Sequence, residues 1–395
     1  MTNLSYNLLQ LTTSYVLKLK DYKRNIYKKC SAFLFQYFCK VKSTKDKIDI
    51  RSLSIETLYD HFTEMDEKSY RAKQVYEWLW EKSCISFDEM SNVSKELRKK
   101  LNENFIINNA KINNSQFSAD KTIKNSFILH DNHLIEGVLI PAPERMTACV
   151  SSQVGCSLTC KFCATGYMER KRNLNPDEIY DQVVLIDRQA KENYGIPLTN
   201  IVYMGMGEPL LNYNNVLKSV ERITAEDGLN MSPKRITVST AGIAKMIKKL
   251  GDDQVKFNLA LSLHAANDEK RNTIMPINEQ NSLKALAEAL KYYYAKTKNM
   301  VTYEYIVFND FNDELQDAEE LARFCKHIPC KVNIIEYNPI SFASYTNAGE
   351  DKIEAFAEYL RKHDVITNIR RSRGKDIDAA CGQLAIKEKA KISEQ

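Results

Sequence analysis

The chain has 395 residues, of which 44% are hydrophobic and 27% charged, and its formal net charge is +5. This length allows one large domain with a smaller one beside it. No apolar run approaches the roughly 20 residues of a membrane span, so we expect no membrane association and a cytoplasmic location. The ten cysteines cluster irregularly with no signal peptide before them, which disfavours a secreted disulfide scaffold and indicates metal binding or redox chemistry.

A basic extension begins the chain. Residues 1–50 contain ten Lys or Arg and three Asp, a net charge of +7, so the remaining 345 residues sum to −2. Any nucleic-acid binding must therefore depend on local basic patches and not on the overall charge. We predict that residues 1–49 are a poorly ordered extension, with an amphipathic helix or an organelle-targeting segment as alternatives.

Residues 50–110 are predicted to form a small helical accessory domain. Ser54 has the chemistry of a helix N-cap, and apolar residues recur at helical spacing in two further segments, 71–82 and 94–105. The apolar residues of the next segment, 111–141, fall instead into short runs, so we predict an extended connecting segment there.

Strand-like and helix-like segments alternate from residue 142 to residue 376. The six strand-like segments are 147–151, 200–205, 235–239, 256–263, 301–308 and 331–336. The helical patterns between them include 175–191, 213–226, 282–296 and 313–326. This alternation predicts parallel strands joined by right-handed crossovers, and six units favour a partial TIM-like barrel over a flat doubly wound sheet. In such a barrel the chemistry lies at the C-terminal ends of the strands.

Three cysteines follow the first predicted strand on one short loop, with the spacing C-x3-C-x2-C: Cys156, Cys160 and Cys163. Three thiolates can hold three corners of a cubane iron–sulfur cluster, which leaves the fourth iron free to bind a substrate. A structural zinc site usually needs four Cys or His ligands, often as two C-x2-C pairs, and this loop has no second pair. Cys149 is a poor fourth ligand because it lies inside the preceding strand.

Polar residues or glycines also stand at the ends of the other predicted strands. They are Gly207 and Glu208, Ser239, Ser262 with Leu263 and His264, and Asn338. A glycine lets the backbone approach a ligand, and a carboxylate such as that of Glu208 suits an ammonium group. Since these strand ends meet at one face of the barrel, we predict that their residues contact one ligand.

The cysteine loop and the Gly-Glu pair resemble the radical S-adenosylmethionine (SAM) superfamily. Five longer stretches resemble, more closely, the RlmN family of dual-specificity RNA methyltransferases: CVSSQVGC (149–156), CKFCATG (160–166), GMGEPLLN (205–212), SLHAANDEKR (262–271) and DIDAACGQL (376–384). The match runs from about Asp49 to Leu384. It implies an α/β fold, a partial (β/α)6 TIM-like radical SAM barrel with a small N-terminal helical domain.

The resemblance also implies the cofactors. One [4Fe-4S] cluster per chain would be held by the three loop cysteines, and its open iron would bind SAM, two molecules of which are used per turnover. Glu208 and the other strand-end residues would contact SAM. The RNA substrates implied are 23S ribosomal RNA, methylated at C2 of an adenosine in the peptidyl transferase centre, and transfer RNA, methylated at C2 of an adenosine in the anticodon loop.

Three further residues receive catalytic roles from the resemblance alone. Cys381, in the C-terminal segment 377–395, would carry the methyl group as S-methylcysteine. Glu136 would remove the proton from C2 of the adenine. Cys149 would attack the sulfur of Cys381, form a disulfide and release the methylated base from a covalent RNA–protein intermediate. An unidentified one-electron reductant is required, and we expect a monomer.

Two alternative functions remain open. The first is a Cfr-type methyltransferase acting on C8 of adenine, although Cfr-type proteins usually have alanine where this chain has Pro209 after the Gly-Glu pair. The second is a non-catalytic RNA-binding module that contains zinc. Anaerobically purified protein distinguishes the enzyme from the zinc module, because only the enzyme would be brown and contain about four irons per chain.

Three basic segments lie near predicted strand ends, on the face where we expect the site, and are candidates for RNA contact: 170–172, 234–235 and 370–375. Solvated surface charge is the alternative interpretation for each. The third segment, RRSRGK, lies just before Cys381, where it could lower the pKa of the thiol or bind phosphate.

Overall fold

The computed structural model of the protein describes residues 47–386. The predicted basic extension lies outside this range except for its last three residues, as do the final nine residues of the chain. Within residues 47–386, none of the helices has both the length and the apolar character needed to cross a bilayer.

A small domain of three helices begins the described chain. The helices are α1 (Ile55–Glu64), α2 (Ser69–Trp80) and α3 (Lys95–Asn104). Ser54 and Ser94 each accept a hydrogen bond from the backbone amide three residues further on, at 3.2 Å, and so cap α1 and α3. Two short strands, β1 (Ile48–Asp49) and β2 (Phe105–Ile106), pair in parallel and join the two ends of the domain.

One ten-stranded sheet forms the centre of the molecule. Its strands in chain order are β3 (Lys111–Phe117), β4 (Ile123–Ile128), β5 (Leu134–Ala142), β6 (Arg145–Cys149), β9 (Asn200–Tyr203), β10 (Ile236–Thr240), β11 (Asn258–Ser262), β12 (Val301–Val307), β13 (Cys330–Glu336) and β14 (Ile366–Arg370), while β7 (Gln153–Val154) and β8 (Arg172–Asn173) pair separately. From β6 onward the ten-stranded sheet is parallel, and β3, β4 and β5 are antiparallel. Because β14 and β3 remain as edges, the barrel is open.

Helices connect the parallel strands. They are α4 (Pro176–Tyr194), α5 (Tyr213–Thr224), α6 (Ala244–Asp252), α7 (Asp268–Ile274), α8 (Leu283–Thr297), α9 (Leu315–Cys325) and α10 (Glu350–Lys362). The six strands and four helices predicted for the barrel are all present, with their ends shifted by at most three residues. The predicted fold class, a partial α/β barrel with a small helical domain, is confirmed.

The sheet extends beyond the six predicted strands at both edges. At one edge β14 pairs in parallel with β13; its side chains are mostly exposed or half-buried, so the segment lacks the apolar run that identified the other strands. At the other edge, the segment predicted to be extended forms β3, β4 and β5, which continue the sheet from β6.

A buried ion pair and an aromatic contact anchor the helical domain on the barrel. The guanidinium of Arg51 lies 2.6 Å from the carboxylate of Asp181 and 3.4 Å from that of Asp177, and all three side chains are buried. The ring of Trp80 packs edge-on against Tyr180, with the centroids 5.2 Å apart. Both contacts are made with α4, the helix that follows the cysteine loop.

Candidate active site

A cavity lies at the C-terminal ends of the parallel strands. Its lining contains nine of the thirteen residues predicted for the site: Cys156, Cys160, Cys163, Gly207, Glu208, Ser239, Ser262, His264 and Cys381. The fold therefore brings together the cysteine loop, three strand ends and the C-terminal segment. Glu136, Cys149, Leu263 and Asn338 are outside the lining.

The cysteine loop is closed by a short pair of strands. β7 and β8 pair antiparallel on either side of residues 155–171. Within the loop, the amide of Cys163 donates to the carbonyl oxygen of Cys160 at 3.2 Å. A Cβ atom on Gly166 would lie only 2.7 Å from that same carbonyl oxygen, so the close approach of the two chain segments requires glycine.

The three loop thiols line one cavity, an arrangement that fits the three cysteine ligands of a cubane cluster. Burial raises the pKa of each thiol, to about 11 for Cys156, so binding of iron would release their protons. Over residues 47–386, no three His, Cys, Asp or Glu side chains converge as ligands of one ion. A cubane does not require this, since each thiolate binds a different iron and the sulfurs stand further apart.

Glu208 is held in the cavity wall by two backbone amides. Its Oε1 accepts from the amide of Leu210 at 3.0 Å, and its Oε2 accepts from the amide of Ala241 at 2.8 Å. Burial raises the pKa of this carboxyl group. The side chain of Thr240 also donates to this group. A carboxylate has about four acceptor positions, so one remains for a ligand. Gly207, at a φ of +96°, lets the chain pass Gln153, whose Cβ would be 2.5 Å from an added Cβ.

Two serines and a neutral histidine stand at neighbouring strand ends. The hydroxyls of Ser239 and Ser262 are 3.3 Å apart. Nδ1 of His264 accepts a hydrogen bond from the amide of Ile306 at 3.1 Å, and burial lowers the pKa of His264 to about 3. The ring is therefore neutral at pH 7 with its proton on Nε2, which can donate to a ligand in the cavity.

Leu263 contributes to the framework of the site. Its side chain is fully buried. Its amide donates to the carbonyl of Glu304 at 3.0 Å, and its carbonyl accepts from Nε of Arg271 at 3.0 Å. The backbone of Leu263 thus fixes the segment that carries its two cavity-lining neighbours.

Asn338 contacts the segment that carries Cys381. Its Nδ2 donates to the carbonyl oxygen of Cys381 at 3.2 Å. Its Oδ1 is buried without a hydrogen-bond partner among residues 47–386. Because buried acceptors are nearly always satisfied, this atom fits a site for a donor group on a bound ligand.

The C-terminal segment is docked on the cysteine loop. The amide of Ala164 donates to the carbonyl of Gly382 at 2.7 Å, and the hydroxyl of Thr165 donates to the carbonyl of Leu384 at 2.6 Å. Gly382 has a φ of +83°, and an added Cβ there would lie 3.1 Å from the carbonyl oxygen of Phe162. These contacts place Cys381 in the same cavity as the loop thiols.

Cys381 and Cys149 differ in access. Cys381 is exposed to the cavity, whereas Cys149, at the end of β6, is buried. Burial raises the pKa of Cys149 to about 12, with the nearby Cys381 as a further cause. Burial by the cavity walls also raises the pKa of Cys381; the charge of Arg370 opposes this rise without overcoming it. Within the basic run, Arg370 thus lowers this pKa as predicted, but burial raises it by more.

Glu136 lies on β5, outside the cavity lining. Its Oε2 accepts a hydrogen bond from the amide of Ala385 at 2.9 Å, and its Oε1 is 3.6 Å from Nζ of Lys124. Both ionic side chains are buried. In this structure the carboxylate thus holds the C-terminal segment, and the fold does not bring it into the cavity.

The cavity wall also contains two charged residues, Glu304 and Arg370, which were not among the thirteen residues predicted for the site. Glu304 on β12 accepts from Nη1 of Arg370 at 3.3 Å and from Nδ2 of Asn333 at 2.9 Å. Glu304 is the only charged residue of the fully buried strand VTYEYIV. A lone charge in an apolar strand is costly unless it is paired, and this pattern could have identified Glu304.

The basic segments are placed differently from one another. Lys234 and Arg235 precede β10, at the opposite end of the strand from the cavity, so the prediction that they flank the site is wrong. Arg172 forms ion pairs with Asp131 and Glu178. Arg370 and the residues after it leave the cavity end of β14, where Arg371 and Lys375 pair with Glu336.

Comparison with known proteins covers most of the chain. Residues 48–107 match the family described as "Ribosomal RNA large subunit methyltransferase N-terminal domain", and residues 150–325 match "Radical SAM superfamily". A protein of Cytophaga hutchinsonii named "Probable dual-specificity RNA methyltransferase RlmN" is 63% identical, over 90% of this chain and 98% of its own. A protein of Salinibacter ruber with the same name is 45% identical, over 87% and 96%.

A solved structure shows the same fold. The crystal structure of a radical SAM methyltransferase from Sphaerobacter thermophilus superposes with a TM-score of 0.81 and is 38% identical. The match covers 85% of this chain and 99% of the other.

Proposed function

Because the chain belongs to the RlmN family of radical SAM RNA methyltransferases, we propose that it methylates C2 of an adenosine in 23S ribosomal RNA and of an adenosine in the anticodon loop of transfer RNA. The observation that carries this proposal is the docking of the Cys381 segment on the cysteine loop, with Cys149 close by. The thiols to which this proposal gives the roles of methyl carrier, resolving thiol and cluster ligands thus lie near one another.

The chemistry of adenine explains why such a site is needed. C2 is an electrophilic amidine carbon without a lone pair, so it cannot attack the methyl group of SAM directly. A [4Fe-4S] cluster and SAM, implied by the family, would supply both the methyl group for the protein and the one-electron chemistry that activates it, at two SAM per turnover and with an external reductant.

The cavity residues have separate roles in this proposal. Cys156, Cys160 and Cys163 would hold the cluster through three irons. Glu208 would accept a hydrogen bond from the amino group of SAM through its remaining acceptor position. The other polar groups of SAM would be held by the hydroxyls of Ser239 and Ser262, the imidazole of His264 and the amide of Asn338.

Cys381, Glu136 and Cys149 would act in sequence on the RNA. The methyl carbon on the sulfur of Cys381 would give up one hydrogen atom to the radical chemistry that SAM supplies and form a bond to C2. The adduct would then lose one electron, returned to the cluster, and the C2 proton, taken by Glu136. The thiol of Cys149 then loses its proton and attacks the sulfur of Cys381. As the disulfide forms, the bond between that sulfur and the methylene carbon breaks, and the released base takes up a proton to complete its methyl group.

The test is a pair of single variants with RNA. Cys149→Ala should methylate Cys381 and add it to the adenine, then stall with RNA attached through a methylene. Cys381→Ala should form no adduct yet keep its iron, because it is not a cluster ligand in this proposal. Two cysteines that only packed together would give two similar variants.

The measurement is a denaturing gel shift followed by mass spectrometry of the peptide that contains Cys381. Absence of an RNA-linked peptide in Cys149→Ala, under conditions where the unmodified protein turns over, contradicts the resolving role. Nucleoside analysis of the product RNA separates methylation at C2 from methylation at C8. A colourless protein with one zinc per chain would exclude the enzyme.

A further inference from the structure

Two exposed aromatic rings stack on each other beside the cavity. The rings of Tyr167 and Phe342 have centroids 5.2 Å apart and an angle of 26° between their planes. Tyr167 is 48% exposed and Phe342 is 60% exposed. Large aromatic residues that remain exposed as a contiguous pair indicate a surface for a partner rather than a core contact.

Both residues belong to loops that build the site. Tyr167 follows the cavity-lining Gly166, and its hydroxyl donates to the carbonyl of Lys161 within the cysteine loop at 3.1 Å. Phe342 lies in the loop after β13, where the carbonyl of Pro339 accepts from the side chain of Gln383 at 3.1 Å. The stacked pair therefore joins the cysteine loop to the loop that supports the Cys381 segment, at the rim of the cavity.

A packed aromatic cluster lies behind the pair. Phe308 contacts Tyr337 and Tyr345, with ring centroids 5.1 and 4.9 Å away. Burial raises the pKa of both tyrosines, and the nearby hydroxyl of Tyr167 raises it further. Tyr167 therefore lies near this cluster, and the stacking of Tyr167 and Phe342 on each other restricts both rings, which reduces the entropy lost when a partner binds.

An RNA with one base turned out of its stack is the partner that fits this position. A target adenosine must leave the stack to reach the cavity, and the bases beside it then lose a stacking neighbour. Proteins commonly stack such bases on aromatic side chains. The exposed Lys161, on the same loop as Tyr167, provides a positive charge for the backbone phosphate.

We propose that the pair Tyr167–Phe342 is a stacking platform for an unpaired base next to the target adenosine. This inference rests on the proposed function, because it requires an RNA substrate. One base stacked on an aromatic residue contributes about 1–3 kcal/mol, so loss of the platform should weaken RNA binding roughly 5-fold to 150-fold.

The experiment compares variants that keep apolar bulk with one that keeps the ring. Tyr167→Leu and Phe342→Leu should bind the RNA more weakly, whereas Tyr167→Phe should bind it like the unmodified protein. Phe117→Leu is the matched control, since Phe117 is equally exposed at 60% but lies on β3 at the far edge of the sheet. A substrate RNA with 2-aminopurine beside the target adenosine reports stacking directly, because stacking quenches its fluorescence.

We expect quenching with the unmodified protein and with Tyr167→Phe, and a loss of quenching with both leucine variants. Iron content and SAM cleavage without RNA should be unchanged in all variants, which shows that the cavity is intact. Equal RNA affinity and equal quenching in the leucine variants would overturn the platform while leaving the methyltransferase in place. Slower reduction by a protein electron donor with unchanged RNA binding would also overturn it, since the pair would then be a docking site for that donor. Failure of the unmodified protein to methylate RNA would instead contradict the proposed function.

Discussion

The carboxylate of Glu136 accepts a hydrogen bond from the backbone amide of Ala385 at 2.9 Å. Ala385 lies four residues after Cys381, so the proposed base holds the segment that carries the proposed methyl acceptor. The proposal therefore gives this carboxylate two uses, as an anchor for the Cys381 segment and as the base that takes the adenine proton.

Substitution of Glu136 can separate these two uses of the carboxylate. Glu136→Gln keeps an oxygen for the amide of Ala385 but removes the base. We expect it to methylate Cys381 normally and to methylate RNA about 10²–10⁴ times more slowly, the usual contribution of a general base. Glu136→Ala should lose both, with faster proteolysis of the C-terminal segment. Equal RNA methylation by Glu136→Gln and the unmodified protein would remove Glu136 from the chemistry.

Glu208, unlike Glu136, lines the cavity. Glu208→Gln keeps the shape of the side chain and one amide-accepting oxygen but removes the charge that suits an ammonium group. A charge-assisted hydrogen bond contributes about 1.5–3 kcal/mol, so we expect SAM to bind roughly 10-fold to 150-fold more weakly. Isothermal titration with anaerobic protein measures this affinity.

The control for Glu208 is Glu169→Gln. Glu169 is an exposed acid paired with Lys171 on the cysteine loop, so its loss tests a charge change near the site without a change in the cavity. Both variants should keep full iron content. If Glu208→Gln binds SAM as tightly as Glu169→Gln does, Glu208 is not a SAM ligand.

The two thiols that we propose act on the RNA should differ in their reaction with iodoacetamide. Cys381 is exposed to the cavity, whereas Cys149 is buried with its pKa raised to about 12. At pH 8 a thiol with that pKa is ionised to about one part in ten thousand, and only the thiolate reacts. Peptide mass spectrometry of the anaerobic protein should therefore find Cys381 modified well before Cys149.

Cys84 is the internal control for this order. It is also buried, and burial raises its pKa to about 12, so it should be as unreactive as Cys149. Modification of Cys149 as fast as that of Cys381, with Cys84 still unmodified, would show that β6 opens locally and would contradict the buried position of Cys149.

Local sequence patterns predicted the parts of the site that depend on local spacing. The cysteine loop needs three thiols within eight residues, and buried parallel strands are continuous apolar runs, so both could be identified without a structure. The convergence of residues at the strand ends could be predicted from the topology, because parallel strands place their C-terminal ends at one face of the barrel. Eight of the nine predicted residues in the cavity lining are there for these reasons, and the ninth, Cys381, was predicted from the resemblance alone.

Long-range contacts could not be predicted from these patterns. The bond from Ala385 to Glu136 spans 249 positions, and no spacing rule relates them. Lys234 and Arg235 were predicted to lie near the site, but they precede β10 and lie at its N-terminal end. Closeness to a strand in sequence does not indicate which end of the strand faces the cavity. The edge strand β14 was missed because half-solvated strands lack an apolar run.

The anchor between the helical domain and the barrel is expected to dominate the stability of that interface. Arg51→Ala would leave the buried carboxylates of Asp177 and Asp181 without their cation. Breaking a buried pair in this way usually costs about 3–5 kcal/mol. Urea unfolding measures the loss. Arg71→Ala removes hydrogen bonds to Gln74 and to a backbone carbonyl and a contact with the ring of Tyr70, all at an exposed position, and should cost less, about 1 kcal/mol.

The same anchor should make stability depend on pH. Burial raises the pKa of Asp177 from its usual 3.8 to about 7, against the opposing charge of Arg51. Between these two values the folded protein binds more protons at this site than the unfolded chain does, so the contribution of Asp177 to the free energy of unfolding falls as the pH rises. Asp177→Asn removes this titration. The loss of unfolding free energy between pH 5 and pH 7.5 should therefore be larger in the unmodified protein than in the variant. Glu64→Gln, at an exposed position, should keep the slope of the unmodified protein, and equal slopes in all three proteins would show that Asp177 does not titrate in this range.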